Sequence, residues 1–83
     1  MDVSKMQETL NKRVTRFRKS AKITQKQVAE LLGAKHSTYS QMERKGNIRA
    51  EDIVKLAEIF KADILELLLG EEKARNIKTQ SEN

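Results

Sequence analysis

No proline interrupts the 83 residues and only three glycines occur, so apart from a few capping signals nothing in the backbone stops helices from forming. Apolar residues recur at steps of three and four along most of the chain, the period of a helix with one buried face. Helices joined by short turns are the architecture that fits both facts. Ser4 with Gln7 reads as a capping box, followed by Met6, Leu10, Val14 (or Arg13), Phe17 and Ala21, which predicts a first helix over about residues 5–20. Thr24 with Gln27 is a second box, opening a helix of about two turns whose apolar positions Val28, Ala29, Leu31 and Leu32 stop at Gly33. A third stretch, His36 to Arg44, has only Tyr39 and Met42 as large apolar residues and leaves His36, Ser37, Ser40 and Gln41 on its polar side. Ile48 is expected to reach the core from the next loop, before a helix over about 50–61 with Ile53, Leu56, Ala57 and Phe60 at amphipathic spacing. Asp63 and Glu66 form a further capping box ahead of a leucine-rich fifth helix ended by Gly70. The expectation is an all-α, compact five-helix bundle over residues 1–70. Residues 71–83, in which only Ala74 and Ile77 are apolar, are expected to be a frayed or disordered polar tail.

At this length one hydrophobic core is the limit, and an elaborate enzyme site is improbable. The chain has no cysteine and one histidine, so a disulfide scaffold, a Cys-bearing zinc site and a catalytic triad have no residues to use. There is no glycine-rich phosphate cradle, and the acidic pairs Glu51-Asp52 and Glu71-Glu72 fit helix-start and solvent roles better than catalysis. We therefore expect no enzyme, no metal and no cofactor, and no small-molecule substrate is evident. The longest apolar run, Ile64 to Leu69, is broken by Glu66 and falls far short of the ~20 residues of a membrane span. With no signal-peptide pattern at the start, the expectation is a soluble, cytoplasmic protein without membrane association. Charge is divided along the chain. Residues 1–49 hold 12 Lys+Arg against 4 Asp+Glu, and residues 50–83 hold 5 against 8, so a net +8 half precedes a net −3 half. A basic half points to a polyanionic partner, with a solvated lysine face as the bland alternative.

Two short helices joined by a turn of about three residues, Gly33-Ala34-Lys35, within basic sequence have the form of a helix-turn-helix. The runs Phe17-Arg18, Ile23-Thr24-Gln25-Lys26-Gln27-Val28-Ala29, Leu32-Gly33 and Ser37-Thr38-Tyr39-Ser40-Gln41-Met42-Glu43-Arg44 resemble the phage repressor/Cro-type (XRE-like) family of transcription regulators. The resemblance covers roughly Leu10 to Leu68. Two of its positions have a direct physical reason: Ala29 is small where the two helices cross, and Gly33 can take a left-handed turn conformation.

The resemblance implies a lambda-repressor-like DNA-binding domain whose third helix enters the major groove of double-stranded DNA. His36, Ser37, Ser40 and Gln41 would then face base edges, Gln41 with the geometry for a bidentate contact to adenine. It further implies phosphate contacts from Gln25, Thr38 and Arg44. Lys26, Lys35, Lys45 and Arg49 join them by charge and nearness to the motif, with simple solvation as the alternative for each. Arg18 and Glu43 match an ion pair that ties the first helix to the third, a structural role. Three departures stand out. Lys22 occupies a position where the family often has Gly, Lys35 replaces the usual cap of the third helix, and the segment from Glu43 to Ile53 is about one residue short.

The fifth helix holds more leucine than one face can bury. With Ile64, Leu65 and Leu68 inward, Leu67 and Leu69 point outward as a candidate homodimer interface, unless the tail folds back over them through Ala74 and Ile77. The functional expectation is a sequence-specific regulator, a repressor or controller, bound as a homodimer to a palindromic operator and nucleoid-associated through its DNA. The alternative is a protein-interaction or antitoxin-like module with a separate protein partner and secondary DNA binding. Non-specific nucleic-acid binding is a third reading.

Overall fold

The computed structural model describes residues 8–81, with side chains to Thr79, and these form six helices and no strand. They are α1 (Leu10–Ser20), α2 (Gln25–Leu32), α3 (His36–Lys45), α4 (Ala50–Phe60), α5 (Ile64–Leu69) and α6 (Glu71–Ser81). α1 begins later than its apolar period implied, because Thr9 adopts an extended conformation and its hydroxyl accepts the Lys12 N–H. The Ser4–Gln7 box lies outside the described residues. α2 opens as its sequence predicts: Thr24 accepts the Gln27 N–H, the Gln27 side chain accepts the Thr24 N–H, and Gly33 closes the helix at φ 75°. At the start of α5 only half of the expected box forms, with Asp63 accepting the N–H groups of both Leu65 and Glu66.

Val14, Val28, Tyr39, Leu56 and Leu67, one from each of α1 to α5, are completely buried and meet at a single core. Burying each such side chain contributes about 1.5–3 kcal/mol. Ile48 does pack on this core from its loop. α1 runs against α3, α4 and α5, α2 rests on α3 and α4, and α6 lies along α5. Two non-glycine residues end helices in the left-handed region, Lys22 at φ 60° and Lys61 at φ 54°. Lys22 thus does what a glycine there would do, at a cost of about 1–2 kcal/mol.

Two expectations are corrected in the C-terminal third. Residues 71–81 are a sixth helix rather than a frayed tail, since the polar composition hid the fact that Ala74 alone reaches the interior, where it is fully buried. Leu67 does not face outward either. It is completely buried and Leu69 half-buried, while Ile64 and Leu68 are 41% and 43% exposed. Five of the six α5 residues are apolar, so its sequence carried no phase. The packing of α1, α4 and α6 around α5 chose the face.

Candidate nucleic-acid interface

α2 and α3 pack together across the turn closed by Gly33. α3 buries Tyr39, Met42 and Glu43, and that inward stripe leaves its other side free. His36, Ser37, Thr38 and Gln41 are exposed and Ser40 is half-buried. These polar groups occupy the first turns of α3, where Lys35 supplies no side-chain cap. Lys26, Lys35, Arg44 and Lys45 are exposed around the same two helices. Arg49 is exposed too, but its guanidinium lies 3.0 Å from Glu51 and 3.4 Å from Asp52, so part of its charge is already spent.

The orientation of α3 is held from behind by one carboxylate. Glu43, its side chain only 5% exposed, receives Arg18 Nε at 2.7 Å, Thr15 Oγ1 at 2.9 Å and Gln25 Nε2 at 3.0 Å. Arg18 also donates through Nη1 to the Ile23 carbonyl at 2.9 Å, and Asn11 Nδ2 donates to the Glu43 carbonyl at 2.7 Å. α1, the entry of α2 and the second half of α3 thus meet at a single charge. Burial pushes the Glu43 carboxyl up, but Arg18 and the neutral donors around it outweigh that and hold it below the usual carboxylate range.

Gln25, assigned to phosphate from the sequence, is half-buried and turns its amide inward to Glu43. Asn11 and Thr15 were missed altogether. Together with Arg18 they make a polar stripe at steps of four and three on α1, beside the apolar Leu10, Val14 and Phe17, and that periodicity is the signal that marks them as buried partners.

Among the described residues the buried Tyr39 hydroxyl makes no hydrogen bond of good geometry, the Glu43 carboxylate being the acceptor it approaches. Burial, with the Glu43 carboxylate nearby, pushes it well above its ordinary pKa. Removing an unsatisfied hydroxyl forfeits little. Tyr39→Phe should therefore change stability by less than about 1 kcal/mol in a denaturant titration, whereas a loss of about 2 kcal/mol or more would show that the hydroxyl is bonded in solution.

Among the described residues no group of His, Asp or Glu side chains could hold a metal ion, and no helix is long and apolar enough to cross a membrane. A family model described as helix-turn-helix matches residues 14–67, which is α1 from its second turn through most of α5. Comparison with curated proteins and with solved structures gives no match.

Proposed function

Since the chain belongs to the XRE, Cro/C1-type helix-turn-helix family of DNA-binding regulators, we propose that it is a sequence-specific repressor or controller that binds a palindromic operator as a homodimer. The observation that carries this reading is the two-sidedness of α3. Its first turns offer His36, Ser37, Ser40 and Gln41, and its opposite side is tied to α1 and α2 through Glu43. A recognition helix needs both properties, because base readout depends on fixed side-chain positions. Gln41 takes adenine, His36 and the two serines supply less selective donors and acceptors, and Lys26, Lys35, Thr38, Arg44, Lys45 and Arg49 meet phosphates. Gln25 supports readout indirectly, by holding Glu43.

The second copy pairs through the apolar residues that α5 exposes, Ile64 and Leu68, in place of Leu67. α3 and α5 both pack on α1 but are not among the helix pairs in close contact with each other, so pairing through α5 would leave both recognition helices open to DNA. Two-fold symmetry then sets them roughly 34 Å apart, one turn of the duplex. A second reading, an antitoxin-like module with a separate protein partner, is favoured by Leu31 and Val54, 66% and 48% exposed on the adjoining helices α2 and α4. Recovery of a tight stoichiometric partner from the native host would support it.

Selection of bound sequences from a random duplex library tests the DNA reading. The expected result is an inverted repeat bound at least about 10³-fold better than scrambled DNA. Gln41→Ala should weaken binding by about 1–3 kcal/mol and relax preference at one base pair in each half-site. Equal affinity for selected and random duplexes would reduce the function to non-specific binding.

A further inference from the structure

α5 and α6 are separated by a single residue, and the break between them is maintained by a side chain from elsewhere. Gly70 N donates to the Glu66 carbonyl at 2.9 Å and Ala74 N donates to the Gly70 carbonyl at 3.0 Å, both already in the i to i−4 pattern of a continuous helix. What is missing is the middle. In a continuous helix the Leu67 and Leu68 carbonyls would accept the N–H groups of Glu71 and Glu72. Here both accept Arg13 Nη1 instead, at 3.2 and 2.9 Å. Arg13 comes from α1 and is 8% exposed. Gly70 itself stands at φ 95°, ψ 154°, a conformation that is essentially restricted to glycine. A cleft of about 360 Å³ opens beside the break, while the Arg13 guanidinium itself lies against Gly70.

Beyond this hinge α6 lies along α5 and is anchored by one buried alanine and by ion pairs to α1 and the start of α5. Ala74 is the one fully buried residue among its described side chains. Arg16 on α1 grips the Glu71 carboxylate through both Nη atoms at 2.8 Å and is itself held by Glu8 at 2.7 Å. Lys78 pairs with Asp63 at the start of α5. All of these seats would be equally filled by the α6 of another copy, since that helix is identical.

We propose that two copies of this chain exchange α6: Gly70 straightens, α5 and α6 join into one helix over 64–81, and each α6 takes the seat on the other copy's α1 and α5. Straightening gains the helix bonds that Arg13 now replaces and releases the glycine conformation. The loop-closure advantage of the bent form and the Arg13 bonds are what it gives up. The exchange rests on the pairing of two copies set out above but not on DNA binding.

A charge exchange tests it without DNA. Arg16→Glu and Glu71→Arg, made separately, each place like charges across the seat within one molecule. When the two variants are unfolded and refolded together, only exchange restores opposite charges at both seats. Native mass spectrometry should then show the mixed dimer over both pure dimers by at least about tenfold above the statistical 1:2:1 ratio. Gly70→Ala, which disfavours the bend and favours helix, should raise the dimerisation constant of the otherwise unaltered chain at least about tenfold. A statistical mixture of dimers overturns exchange while leaving pairing through Ile64 and Leu68 standing. Single copies alone overturn both.

Discussion

Glu43→Ala should lower the stability of the domain by about 3–5 kcal/mol in denaturant titration, the range for removing one member of a buried ion pair. The magnitude follows from what is left behind. Arg18, with its side chain 12% exposed, would lose its carboxylate partner, and Thr15 and Gln25 would lose the acceptor they share. A surface pair would be worth about 0–1 kcal/mol, so a small effect would show that water reaches the cluster in solution. Glu43→Gln separates charge from shape, since the amide keeps an acceptor but no charge. The carboxyl is held below its unfolded value, so its contribution is present above the ordinary carboxylate range and lost as pH falls through the lower folded value. The advantage of the native chain over Glu43→Gln should accordingly be full near neutral pH and shrink below about pH 4. An advantage that grows on acidification would contradict this account of the cluster. Because Glu43 also fixes the back of α3, specific DNA affinity should fall with stability rather than after it.

Operator affinity should drop about 10³- to 10⁵-fold between roughly 50 and 200 mM salt, if two copies together neutralise about 6–10 phosphates. The exposed cations around α2 and α3, Lys26, Lys35, Arg44 and Lys45, supply that number when counted in both copies. Lys45→Gln should reduce the slope of log affinity against log salt by about 0.9 for each phosphate lost, and should do so equally on operator and random DNA. Arg49→Gln should change the slope less, because Glu51 and Asp52 already offset its charge. A slope unaffected by Lys45→Gln would remove that residue from the phosphate set. Titration by fluorescence anisotropy at four or five salt concentrations measures all of this.

The parts of this molecule that were legible in the sequence are those written by neighbouring residues. The Thr24 and Gln27 box, the left-handed Gly33, the amphipathic spacing of α4 and the narrow apolar stripe of α3 are each fixed within one or two helical turns. So was the pairing of Arg18 with Glu43, although that rested on resemblance to a family rather than on spacing. Where a side chain must choose among distant partners, local reading failed. Gln25 sits at the start of α2 like a phosphate contact, yet the Glu43 carboxylate from α3 claims its amide. Asn11 and Thr15 look like ordinary surface polar residues of α1 until α3 is laid across them.

The same division explains the C-terminal third. Six residues with five apolar side chains specify a helix but not a face, and a helix of polar composition with a single inward alanine looks like a solvated tail. By itself the sequence determined that the chain is helical, where most of its helices start and stop, and which helix buries a narrow apolar stripe and leaves a polar face exposed. Only the tertiary structure decided which leucine of α5 is buried, that α6 folds back at Gly70, and that Arg13 holds the break open. The physical reason is range. Capping and periodicity act over three or four residues, whereas burial phase and the partner of a buried charge are set by whichever surfaces meet after the helices have formed.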